Sequence, residues 1–101
     1  MDYSELALDM LSKHLGEPIT LEDAGYESYS FEVVELDMTI IPMSYQSYLS
    51  RFQDVMTHLY LYKELVVYIL YPLADSASDP KLVGLLYEDK LLDYRIITGG
   101  V

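Results

Sequence analysis

The stretch Leu65-Val66-Val67-Tyr68-Ile69-Leu70-Tyr71-Pro72-Leu73 decides the fold. It carries no charge and is rich in β-branched and aromatic side chains, the composition of a strand. Being apolar on both faces, it is expected to run through the middle of a sheet, with helices covering one side. Upstream, residues 57–62 alternate, Leu59 and Leu61 opposed to His58, Tyr60 and Tyr62. Downstream, 82–87 and 94–98 read as two more strands, so 57–98 is a four-stranded meander. The connection 74–81, with its Asp and Ser residues and Pro80, reads as a surface loop, and 88–93 as the next turn. Lys63-Glu64 lacks the Gly or Asn that a two-residue hairpin prefers, so that turn is expected to be longer than two residues.

Two helices are expected before the meander. Residues 2–15 place Tyr3, Leu6, Met10, Leu11 and His14 at helical spacing. Asp2-x-x-Glu5 resembles a capping box, and Gly16 and Pro18 supply a stop. Residues 44–56 gather Tyr45, Tyr48, Leu49, Phe52 and Met56 on one face, with Ser44 as the cap. Between these helices, 26–31 alternates like a strand. Beyond it two readings stand. Phe31, Val34 and Met38 fit a helical stripe, whereas Val33, Val34, Thr39, Ile40 and Ile41 favour a second strand. The sum is α+β: one domain over 1–101, with two helices packed on an antiparallel sheet of four to five strands.

Charge is distributed unevenly. Ten carboxylates and one base, Lys13, lie between Asp2 and Asp37, a balance of −9; the remaining seven acids and five bases give −2, summing to −11. Like charge on one segment opposes compactness, so such a block is either a solvated face or a surface addressed to something basic. An isoelectric point near 4.2 and only six Lys and Arg argue against direct binding of nucleic acid. An extended strand rises about 3.3 Å per residue, close to the ~3.4 Å per nucleotide of one DNA strand. Carboxylates displayed along it can therefore imitate a row of phosphates. Glu22, Asp23, Glu27, Glu32, Glu35 and Asp37 lie in or beside such a strand, in the acidic region 22–37.

Catalytic patterns do not emerge. His14 and His58 stand 44 positions apart without metal-ligand spacing, and His14 reads as a partner for a helix C-terminus. There is no GxSxG, no phosphate-cradling glycine loop and no calcium loop of the D-x-D-x-D-G kind. The expectation is a protein that is not an enzyme and holds no cofactor or metal. No cysteine occurs, no apolar run approaches the ~18 residues of a membrane span, and the opening MDYSELALDML is acidic where a secretory signal is basic. A cytoplasmic protein with no membrane association is expected.

Three stretches carry a resemblance to a known family. They are Glu27-Ser28 after an N-terminal helix, Tyr68-Ile69-Leu70-Tyr71 with Lys81-Leu82-Val83-Gly84-Leu85, and the ending Leu91-Leu92-Asp93-Tyr94-Arg95-Ile96-Ile97-Thr98-Gly99-Gly100. Together they resemble the uracil-DNA glycosylase inhibitors, above all the staphylococcal-type members. That resemblance implies a monomer that forms a 1:1 complex with the glycosylase and occupies its DNA-binding groove as a DNA mimic. It assigns Glu27 and Ser28 to the strand that enters the groove, with Glu32 and Glu35 as candidates for the acids that follow. It also implies a hydrophobic pocket for the apolar side chain that the enzyme pushes into DNA. Periodicity suggests Val34, Met38, Leu49 and Phe52 for this pocket, ordinary core being the more common role of such residues. The alternative reading of the acidic surface is an immunity protein or a secretion chaperone for another basic protein.

Overall fold

The computed structural model describes residues 3–73 and 80–98. Five strands form one sheet: β1 (Gly25–Glu32), β2 (Asp54–Tyr62), β3 (Leu65–Pro72), β4 (Lys81–Tyr87) and β5 (Lys90–Ile97). They lie in chain order, each antiparallel to its neighbours. Helix α1 (Tyr3–Leu15) precedes them. Helix α2 (Met43–Leu49) sits in the β1–β2 connection after two 3-10 turns, Val33–Glu35 and Met38–Ile40. The fold is α+β, as expected, with five strands.

The helices do not share one side of the sheet. Alternation along β3 sends Leu65, Val67 and Ile69 to one face, where they pack with Leu6, Ala7, Met10 and Leu11 of α1. It sends Tyr68 and Leu70 to the other, where Ile41, Tyr45 and Leu49 meet them. An apolar strand buried on both faces needs cover on both, so the expectation of one covered side is corrected. α1 ends where expected: Gly16 adopts φ +72° and its N–H bonds the Ser12 carbonyl at 2.8 Å, an αL cap. Asp9 ties this helix to β5, accepting from Arg95 Nη1 at 3.1 Å and from Lys13 Nζ at 3.2 Å. The Arg95 bond, then the Lys13 bond, holds its carboxyl below the usual 3.8. Asp2 of the anticipated capping box, residues 74–79 of the anticipated loop and the terminal Gly99-Gly100 fall outside the described residues.

Several boundaries differ from expectation. Of the two readings beyond Phe31, the short helix is the nearer: β1 runs on to Glu32 and two single-turn 3-10 helices follow in place of a second strand. Helix α2 covers Met43–Leu49 rather than 44–56, and Pro42 occupies its N-cap, not Ser44. The run Val55-Met56-Thr57 favours strand and pairs with β1 and β3 from Asp54 onward, so the sheet takes residues that helical spacing had claimed. Lys63-Glu64 is a two-residue turn after all, with Tyr62 opposite Leu65 and Lys63 accepting φ +55°. Glu88-Asp89 also closes a two-residue turn, both residues at positive φ, so β5 begins at Lys90 rather than 94. A bulge follows: Leu85 faces Asp93 and Leu86 faces Leu91, leaving Leu92 as the extra residue.

One contact locks the α2 side. The Tyr68 ring lies on Gly84, directly across the β3–β4 pair, and its hydroxyl donates to the Ile40 carbonyl at 2.6 Å. A methyl group at residue 84 would collide with the ring. Gly84→Ala is therefore expected to lower stability by about 1–3 kcal/mol, or roughly 4–8 °C of melting temperature per kcal/mol. A thermal melt matching the parent's would show that the ring moves aside freely and that this lock is not structural.

Candidate partner-binding face

Strand β1 forms one edge of the sheet. Every residue in it is exposed except half-buried Phe31. Register decides where each side chain goes. Glu27, Tyr29 and Phe31 stand opposite Leu59, Thr57 and Val55 and project to the α2 face. Tyr26, Ser28 and Ser30 stand opposite Tyr60, His58 and Met56 and project to the α1 face. The Glu27-Ser28 pair is thus split between the two faces. Tyr29 donates its hydroxyl to Glu27 Oε2 at 3.0 Å, which holds the carboxylate in place and raises the phenol's pKa.

The other acids follow the same edge and its ends. Glu22 and Asp23 lie exposed in the turn before β1. Asp23 is partly engaged, accepting from the Thr20 hydroxyl at 2.9 Å and the Thr20 N–H at 3.2 Å. Glu32 closes the strand, and Glu35 curls back to accept the Glu32 N–H at 2.8 Å. Asp37 caps the second 3-10 turn through the Thr39 hydroxyl and N–H, at 2.6 and 3.0 Å, and these bonds hold its carboxyl below the usual 3.8. By strand rise, Glu27 and Glu32 are about 16 Å apart along β1, and alternation places Glu32 on the face of Ser28 and Ser30, opposite Glu27.

An apolar cavity of about 190 Å³ opens beside these acids, between the 3-10 segment and the α2 face of the sheet. Its wall includes Phe31, Leu36, Ile40, Leu59, Leu70 and Leu86, with Asp37 among the lining residues and Thr57 beneath. Gln46 shapes it, donating from Nε2 to the carbonyls of Met38 at 3.1 Å and Ile41 at 2.7 Å. The four side chains suggested by periodicity lie elsewhere. Val34 is 86% exposed, and Leu49 is fully buried in the core beneath α2. Met38 is half-buried against that core, and Phe52, beyond the end of α2, meets Tyr48 in a tilted ring contact at 5.1 Å. Val34 and Phe52 instead line a separate concavity with Glu32 and Arg51. Helical spacing does not reach the lining of this cavity, because the 3-10 turns beside it repeat every three residues and end after one turn. Strand alternation from Leu59, Leu70 and Leu86 was the signal for this lining.

On the α1 face a ring cluster braces the edge. His58 bonds the Tyr26 hydroxyl through Nδ1 at 2.7 Å and the Tyr71 hydroxyl through Nε2 at 2.9 Å, so one imidazole links β1, β2 and β3. Tyr3 of α1 covers it at 5.1 Å, and the Lys81 ammonium lies 5.5 Å from the Tyr71 ring. Burial pushes the imidazole's pKa below its ordinary 6.5. His14 sits apart, at the far end of the sheet, lining a concavity of about 440 Å³ with Lys63, Glu64 and Tyr87. Among the described residues no group of three or more His, Asp or Glu is placed to hold a metal ion, and no helix is long and apolar enough to cross a membrane.

No family model matches the chain, and neither a curated protein nor a solved structure gives a match.

Because the fold favours neutral His58, the unfolded chain binds the extra proton first as pH falls. The contribution of His58 to stability is then complete above about pH 6.5 and is lost as pH drops through its lowered folded value. Urea titrations at pH 7 and pH 5 should show this loss in the parent and a smaller one in His58→Gln. Equal pH dependence in both would remove the imidazole as the cause.

Proposed function

We propose that this protein is a DNA-mimic inhibitor of uracil-DNA glycosylase. The supporting observation is the juxtaposition of an exposed acidic edge strand with an apolar cavity on one face of the sheet. In this reading β1 enters the enzyme's DNA-binding groove. Glu27, held by Tyr29, takes a phosphate's place midway along the strand, while Glu35 and Asp37 add charge beyond one end, Glu22 and Asp23 beyond the other, and Glu32 stands on the Ser28 face. Ser28, on the opposite face, offers a neutral hydroxyl to the groove's second wall. The cavity receives a mainly apolar side chain of the partner, a contact contributing about 1.5–3 kcal/mol if a leucine-sized group is buried. Carboxylates and strand backbone supply the rest of the affinity. The complex is 1:1 between monomers, with no nucleic acid and no membrane involved.

Charge placement suits this role. Acids line β1 and its flanking turns, with no base within β1, whereas β5 at the opposite edge and the turn before it mix Lys90 and Arg95 with Glu88, Asp89 and Asp93. Four inter-strand steps of about 4.8 Å separate the two edges. Such asymmetry orients the molecule as it approaches a basic groove and raises the association rate.

Stoichiometric protein added to a bacterial uracil-DNA glycosylase should abolish uracil excision. Unchanged excision at micromolar protein would reject the proposal and return the acidic edge to the immunity-protein or chaperone reading. Glu27→Ala should weaken inhibition roughly tenfold with an unchanged melting temperature, since the side chain is exposed in the free protein. A variant that inhibits as well as the parent would remove Glu27 from the contact. The onset of inhibition should also slow with salt, as the screening length shrinks from about 10 Å at 0.1 M to about 3 Å at 1 M.

A further inference from the structure

The cavity beside β1 is not purely hydrocarbon. Thr57 forms part of its wall, is only 6% exposed, and its Oγ1 is buried with no hydrogen-bond partner among the described residues. The other polar side chains of the lining are already engaged: the Tyr68 hydroxyl donates to Ile40, and Asp37 accepts from Thr39. A buried hydroxyl without a partner costs free energy, and valine would fill the same space on a strand without that cost. The hydroxyl and the methyl of Thr57 share one Cβ, so a single rotation about χ1 exchanges which of them meets the cavity.

We propose that Thr57 sets the specificity of this cavity: its occupant is a partner side chain with an apolar body and an uncharged hydrogen-bonding tip, which the Thr57 hydroxyl engages. A hydroxyl both donates and accepts, so it serves an amide, hydroxyl or thioether tip. Charged tips are disfavoured because Phe31, Leu36, Ile40, Leu59, Leu70 and Leu86 offer no compensating charge at that depth. Asp37 at the lining, with Glu27 on the same face, favours delivery of that side chain by a basic segment of the partner. This rests on the cavity being the partner's subsite in the inhibitory complex. It goes beyond that reading by naming the tip chemistry and the residue that reads it.

The test uses two ring probes that differ in one group, phenol and toluene. An apolar cavity of about 150 Å³ admits benzene, so a single substituted ring suits this one. Each probe is titrated into the intact protein, and the methyl NMR signals of Leu59 and Leu70 are followed. The ratio of phenol to toluene affinity in the parent should fall about five- to tenfold in Thr57→Val, the worth of one neutral hydrogen bond, and should persist in Thr57→Ser. Thr57→Val should melt no lower than the parent, which separates loss of recognition from loss of fold. A ratio unchanged by Thr57→Val overturns the proposal, as does the failure of either ring to move these methyl signals. Uracil excision is assayed in parallel. If the probe ratio behaves as expected while excision continues uninhibited, the inhibitor reading fails and the Thr57 assignment stands. If excision is inhibited but the ratio is unchanged, the reverse holds.

Discussion

Burial of β3 on both faces is the constraint from which the rest of the structure follows. Leu65, Val67 and Ile69 require one layer of cover, and Tyr68 and Leu70 require another. Helix α1 supplies the first. The second comes from residues 33–53, which leave β1, cross the opposite face as two 3-10 turns and a short helix, and return as β2. A tight β1–β2 hairpin would have left that face open. Because the cover lies over the middle of the sheet, β1 keeps a free outer edge, and the gap between cover and sheet becomes the cavity.

Free edges endanger soluble β proteins, since unpaired N–H and C=O groups invite another strand. Charge is one common defence, and β1 carries Glu27 and Glu32 with acidic turns at both ends. In the proposed reading, the same carboxylates that deter a second copy of this chain also attract a basic groove. The opposite edge is defended differently: β5 is bulged at Leu92, and Arg95 is committed to Asp9 of α1.

Rigidity at the face has named sources. His58 bonds Tyr26 and Tyr71, Tyr45 donates to the carbonyls of Leu70 and Pro80, and Gln46 holds the 3-10 segment by two carbonyls. Tyr68 spans the α2 side from Gly84 to Ile40. Eleven tyrosines in 101 residues find their reason here, in part. Their rings fill the core while their hydroxyls satisfy backbone carbonyls and an imidazole. A surface held this way loses little conformational freedom when a partner docks, which favours affinity without extra area.

The amino-acid sequence alone determined the fold class, the first helix with its Gly16 stop, the strand through Phe31 and the meander around β3. Each of these is local: a period of two or of 3.6, or a residue suited to one backbone conformation. It also set the acidic character of β1, because charge is countable without coordinates. Only the tertiary structure decided that the helices take opposite faces and that β2 begins at Asp54, cutting α2 short at Leu49. It also decided that Val34 faces solvent while Leu36, Ile40, Leu59, Leu70 and Leu86 line the cavity. These depend on competition between segments distant in the chain. Ladder pairing with β1 and β3 outweighed a helical stripe at Phe52 and Met56, and a cavity wall drawn from four strands and the 3-10 segment has no period to betray it.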